Sequence, residues 1–120
     1  MSDSVDVVSR WHAAVNDGDI AAALALCTVD VAVGGPRGDG HGHDLMRAWL
    51  QRSGISLEPQ EELVERGGRI VVHERAQWRT ADAPVQAPTE APADTWVVFE
   101  VCGGLVDAVR RYETAADVPR

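Results

Sequence analysis

Apolar residues recur with a helical period along the first third of the chain and with a strand period along much of the remainder. Val5, Val8, Trp11, His12 and Val15 fall three and four residues apart, so residues 4–16 are predicted to form a helix with one apolar face, capped by Ser4 or Asp3. Asn16-Asp17-Gly18-Asp19 breaks it, and Asp19 can cap a second helix. That helix, over about 19–27, is alanine-rich and is expected to bury Ile20, Leu24 and Cys27. Val29 to Val33 alternates as a short strand does, and a glycine-rich loop follows over 34–42. A third helix is predicted over about 43–53, with Leu45, Met46, Trp49 and Leu50 as its apolar stripe and Gly54 at its end.

Beyond Gly54 the pattern is that of strands. Residues 55–66 mix Ile, Leu, Val and Glu before a Gly67-Gly68 turn, and 69–79 form the longest strand candidate. Residues 81–93 hold three prolines among small and polar residues, so they are predicted to form a mobile loop or hairpin tip. Residues 95–101 and 105–113 are two more strands, joined through Cys102-Gly103-Gly104 as a tight hairpin. Three helices followed by a curved, mostly antiparallel sheet define an α+β domain spanning 1–120, in which the helices bury their stripes against one face of the sheet.

Composition narrows the function. The net charge is −8 and every basic residue is arginine, which argues against nucleic acid and against anionic membranes. No apolar run approaches the roughly 20 residues of a membrane span. Met1-Ser2-Asp3-Ser4 lacks the charge and apolar stretch of a secretory signal, so a cytoplasmic location is expected. Cys27 and Cys102 fit neither a redox pair nor a zinc site, and both are expected to be buried thiols.

The stretch Val7 to Ile20, with its Asn16-Asp17-Gly18-Asp19 turn, resembles the opening of nuclear transport factor 2-like proteins, including the SnoaL-like and ketosteroid isomerase-like branches. Val31 to Pro36, then Gly42-His43-Asp44-Leu45, and Gly104 through Tyr112 continue the resemblance over nearly the whole chain apart from 81–93. The resemblance implies a cone-shaped α+β half-barrel around an apolar pocket. It also implies that ketosteroid isomerase chemistry is absent: the tyrosine position falls on Trp11, the base on Gly35 and the second acid near Val97, none of which can do that work. An Asp-Arg-Asp set, used by an epoxide hydrolase branch, has no specific match.

Within that frame Val72, Glu74, Ala76 and Trp78 share one strand face, which the resemblance points into the pocket, along with Val109 and Arg111. Glu74 is the acid of interest. Buried alone it would suit proton transfer; paired with Arg111 it would stay ionised and structural. Trp11, Val72, Trp78, Val97 and Val109 are candidate ligand-binding walls, and the two indoles could equally be core. His43 is a candidate proton carrier, while His12 and His73 are expected at helix and sheet surfaces.

His41-Gly42-His43 lacks a third ligand at a recognised spacing, so no metal and no cofactor are expected. The glycine-rich loop lacks the Gly-Lys-Ser/Thr ending of a phosphate loop, and a flexible lid is the better functional reading. Two functions remain open: a pocket protein acting as an isomerase, cyclase or hydrolase on an apolar ring compound, or a non-catalytic binding or dimerisation module. In the second, the resemblance implies a homodimer through the outer sheet face that carries Trp96, Val98 and Glu100.

Overall fold

The computed structural model describes residues 3–35, 38–77 and 93–118. Helix α1 (Asp3–Asn16) is followed by α2 (Ile20–Ala25), strand β1 (Cys27–Gly35), β2 (Gly38–His41), α3 (His43–Ser53) and β3 (Ser56–Pro59). Strands β4 (Glu65–Arg66), β5 (Arg69–Gln77), β6 (Ala93–Cys102) and β7 (Leu105–Tyr112) complete the sheet, and a short 3-10 turn spans Ala115–Asp117. Among the described residues the sheet runs β2-β1-β7-β6-β5-β3, with β4 beside β5. Neighbours are antiparallel except β1 and β7, which are parallel. Three helices close one side of this open, curved sheet, giving the α+β half-barrel that the resemblance implies.

The apolar stripes meet in one core. Val7, Val8, Trp11, Ala14 and Val15 of α1 pack with Ala23, Leu24, Met46 and Leu50 of the other helices against Ile70, Val72, Val97, Phe99 and Val109 of the sheet. Asn16, at the end of α1, ties that helix to the sheet edge: its amide accepts from Leu57 N–H and donates to Leu57 C=O, both at 2.8 Å. It thereby satisfies backbone groups of β3 as a neighbouring strand would. Asp19 caps α2 by accepting from Ala22 N–H at 3.1 Å.

Strand parity holds where the site needs it. Ile70, Val72, Glu74 and Ala76 alternate inward along β5. A register shift in the β6–β7 pair sits between Glu100 and Val101, near the hairpin turn, so Phe99 opposite Val109 and Val97 opposite Arg111 keep their inward facing. Gly103 and Gly104 make that turn with φ of 60° and 79°, the paired left-handed values of a two-residue hairpin.

Three elements differ from the pattern reading. The second helix stops at Ala25, and Cys27 begins β1. The glycine-rich stretch contains a real strand, because Ala32, Val33, Gly34 and Gly35 pair with His41, Gly40, Asp39 and Gly38. Glycine's low strand preference is outweighed by the ladder it completes at the sheet edge. Cys102 is exposed, since it ends β6 at the turn. The predicted loop at 81–93 lies, up to Ala93, outside the described residues.

Burial pushes the Cys27 thiol from its ordinary 9.0 up to about 11, an effect that the nearby Trp11 indole N–H opposes. One thiol, Cys102, should therefore react with a disulfide reagent in the native protein near neutral pH, and a second only after unfolding; Cys102→Ser should abolish the native reaction. The folded chain also holds the Cys27 proton more tightly than the unfolded one. That stabilising contribution is intact below pH 9.0 and should be lost as pH rises towards about 11, which denaturation midpoints across that range would register.

Candidate functional site

The site grows from one buried contact between α1 and β5. Glu74 has no exposed surface, and its Oε1 lies 2.6 Å from Nε2 of His12, which is itself 5% exposed. The other ring nitrogen, Nδ1, lies 2.8 Å from the Val8 carbonyl one helical turn earlier. A carbonyl only accepts, so Nδ1 carries a proton and donates it. A single proton then remains for the contact between Nε2 and Oε1. The pair is either imidazolium with carboxylate or neutral imidazole with carboxylic acid, and its net charge is zero in both forms. Among the described residues Glu74 Oε2 is buried without a hydrogen-bond partner.

Aromatic rings enclose this dyad. Trp11 and Phe99 stand 5.2 Å apart edge to face, and the His12 ring lies 5.5 Å from Trp11 and 5.1 Å from Phe99. Across the sheet, Glu74 is directly opposite Thr95 on β6. Thr95 Oγ1 donates to the Tyr112 carbonyl at 2.9 Å and accepts from Arg111 Nη1 at 3.3 Å. His12, Glu74, Thr95 and Arg111 thus form a polar row across α1, β5, β6 and β7.

Arg111 ends that row in an open groove of about 800 Å³. The walls are the β1–β2 hairpin, Leu45, Trp49 and Arg52 of α3, and Glu113 just past β7. The hairpin wall carries little side-chain volume: a Cβ on Gly40 would meet the end of the Leu45 side chain at 2.3 Å and one on Gly34 the Asp39 carboxylate at 2.0 Å, so either substitution would displace that neighbouring side chain. On β7 the neighbouring Arg110 reaches Glu100 at 2.6 Å and Asp39 at 3.3 Å, and Glu100 above all holds its guanidinium more firmly protonated than usual.

Several sequence expectations change here. Glu74 is held by His12 rather than by Arg111, and His12 is inside the protein rather than on the helix surface. The signal was present, since His12 sits in the apolar stripe with Val8, Trp11 and Val15. Trp11, Val72, Val97 and Val109 are at most 2% exposed and pack in the core; none lines the groove. An oily hollow was expected among them, but ring packing fills that space and the opening lies beyond Arg111. His43 opens α3 with Nε2 3.3 Å from the Cys27 carbonyl, also away from the groove walls. His73 stacks on Trp96 at 4.7 Å on the outer face, as expected of a sheet surface. Trp78 lies outside the described residues. Among those residues no cluster of three or more His, Cys, Asp or Glu could hold a metal ion, and no helix is long and apolar enough to cross a membrane.

Residues 8–109 match the family model for the SnoaL-like domain. No curated protein matches the chain. Among solved structures, an NTF2-like protein of unknown function from Burkholderia pseudomallei is similar at 23% identity with a TM-score of 0.78, over 98% of this chain and 95% of that one. SalBIII, described as an epoxide hydrolase/cyclase-like enzyme in pyran ring formation in the polyether salinomycin, is similar at 18% identity and a TM-score of 0.79, covering 95% and 92%. TerC, co-crystallised with polyporic acid, is similar at 20% identity and a TM-score of 0.74, covering 96% and 94%. At these identities the structures show a shared fold.

Removing one member of the buried dyad strands the other. His12→Ala should destabilise the protein by about 3–5 kcal/mol, the usual cost of breaking a buried polar pair from one side. Replacing both members, His12→Leu with Glu74→Leu, should cost far less than His12→Ala, because no polar atom is then left buried alone. Urea denaturation of the three proteins checks the order.

Proposed function

The chain belongs to the SnoaL-like domain family, and from that membership we propose that it is a small-molecule pocket protein whose ligand enters the groove at Arg111. The observation that carries this reading is the groove itself. Its volume of about 800 Å³ falls within the ~300–1,000 Å³ of small-molecule sites, with apolar walls and a few convergent polar groups. Val33, Leu45 and Trp49 suit the flat body of an apolar ring compound, and the bare hairpin glycines leave it room. Arg111 supplies a fixed donor for a carbonyl, enolate or carboxylate oxygen on that ring, with Arg52 as a second positive group.

The reaction class that this reading supports is isomerisation, cyclisation or hydrolysis of such a compound; Glu74, sealed in the core behind the groove, is the candidate proton carrier only for a ligand that displaces the side chains packed over it. SalBIII and TerC lend it support as similar folds described with ring formation and with a bound ring compound. His43 is the weaker candidate, since its ring is engaged with the Cys27 carbonyl. Trp11, Val72, Val97 and Val109 then act as the packed floor behind the groove.

A second reading, a binding module that pairs two copies through the outer sheet face, draws on one observation. Val71 is 44% exposed on that face, where it neighbours Val98 and the stacked His73 and Trp96.

Polyporic acid is a direct probe of the groove. It should raise the melting temperature of the wild-type protein by mass action, and Arg111→Ala should weaken binding about tenfold or more. A hydrogen bond to a charged group contributes ~1.5–3 kcal/mol, and ~1.4 kcal/mol is a factor of ten. Equal affinity in both proteins would remove Arg111 as the anchor. Sedimentation equilibrium tests the second reading: wild type should be dimeric and Val71→Asp monomeric, whereas a monomeric wild type at high concentration would exclude pairing.

A further inference from the structure

We propose that the groove selects ring compounds carrying an ionised acidic oxygen, held jointly by Arg52 and Arg111, and that Arg110 sets this selectivity by keeping the Asp39 carboxylate on the opposite face of the sheet. This rests on the groove reading above and adds to it the charge of the ligand. Leu45, Trp49 and Arg52 fall four and three residues apart along α3, so one helix face brings two apolar side chains and then a guanidinium to the groove. Arg111 enters from β7, where its Nη1 donates to Thr95 Oγ1, a neutral acceptor, at 3.3 Å. A guanidinium has several N–H donors, and one such contact does not exhaust them. Two positive side chains on one cavity repel each other, and an anion bound by both turns that repulsion into attraction. A neutral carbonyl does so far less, because hydrogen bonds between two ionised groups are the stronger kind.

Asp39 and Glu113 also border the groove, and the sheet register disposes of the first. Asp39 pairs with Gly34 and Gly34 with Arg110, so by alternation Asp39 and Arg110 share the face opposite Arg111. Arg110 Nε reaches across β1 to Asp39 Oδ2 at 3.3 Å. Gly34 leaves room for that crossing: a Cβ there would meet the Asp39 carboxylate at 2.0 Å and the Arg110 Cγ at 3.2 Å. Arg110 is not among the groove walls, so it neutralises from behind a carboxylate that would otherwise repel an anion. Glu113 follows the end of β7 and is exposed, where water screens its charge. The chain as a whole carries a net charge of −8, so an anion is held here by these local contacts and not by the general field of the protein.

Calorimetric titration of the whole protein with polyporic acid and with its dimethyl ether tests the idea, since methylation removes the acidic protons and keeps the ring system. At neutral pH wild type should bind the acid about tenfold or more tighter than the ether, the size of one hydrogen bond to a charged group. Arg52→Gln and Arg111→Gln should each weaken the acid and leave the ether unchanged. Arg110→Gln should shrink the advantage of the acid, and Arg110→Gln with Asp39→Asn should restore it, a rescue that a merely structural role of Arg110 would not show. Equal affinity of wild type for acid and ether overturns the selectivity and leaves the groove reading standing. An undiminished advantage in either Arg52→Gln or Arg111→Gln overturns the joint hold, and an absent rescue overturns the role of Arg110. Failure of both compounds to bind wild type overturns the groove reading and the selectivity with it. Should Arg111→Gln fail to fold, wild type and the variant at exposed Arg52 decide alone.

Discussion

A carboxyl group with no access to water governs how this chain is put together. Moving an ionised carboxylate into a protein interior costs several kcal/mol even after relaxation, so Glu74 demands a partner wherever β5 carries it inward. The partner comes from α1, whose apolar face packs in the same core. Once His12 is aimed at Glu74, the rotation of α1 about its axis is set, and Val8, Trp11 and Val15 fall onto the sheet with it. Apolar stripes tolerate small rotations because dispersion contacts have no direction. A 2.6 Å hydrogen bond does not.

That orientation decides where empty space is possible. A half-barrel of this shape can keep a hollow between helices and sheet only if the side chains there are small or held apart. Here the stripe delivers Trp11 and His12 onto Phe99, and three rings with centroids 5.1–5.5 Å apart fill the middle. Space survives between α3 and the β1–β2 hairpin, beside the last residues of β7. There the facing strands are the glycine-bearing β1–β2 hairpin and the last residues of β7. The hairpin contributes almost no side-chain volume, and Arg111 is the first inward residue of β7 beyond the core.

Most of the frame was legible in the residues. Period-three-to-four stripes marked α1 and α3 to within a residue or two, paired glycines marked two tight turns, and alternation put Val72 and Glu74 on the same face as Val97 and Val109. What failed did so for physical reasons. His12 was assigned to the surface on residue type, although its spacing from Val8 and Val15 set it inside; position along a helix outweighs the average habit of an amino acid. Gly38 to His41 carries no strand propensity, and its strand exists through pairing with β1, a long-range gain that local pattern does not carry. For Glu74 the pattern left two states open, alone or paired with Arg111, because both face inward, and His12 was not among its partners. Register, which only coordinates supply, places Arg111 opposite Val97 and Glu74 opposite Thr95.

The register also explains how a buried acid and an exposed groove belong to one arrangement. Adjacent strands lie about 4.8 Å apart, so Arg111 and Glu74, two strands from one another, are separated by roughly 10 Å of sheet. Direct ion pairing across that gap would need both side chains to lie flat over Thr95. Instead Thr95 engages Arg111 and the Tyr112 carbonyl, and Glu74 turns to the helix. The consequence is a division of labour by solvent exposure. The permanently charged guanidinium stands where water can reach it, and the group with an exchangeable proton lies where water cannot. A small molecule long enough to bridge them would carry its polar end to Arg111 and its ring towards Trp11 and Phe99, and only by displacing packed side chains could it reach Oε2.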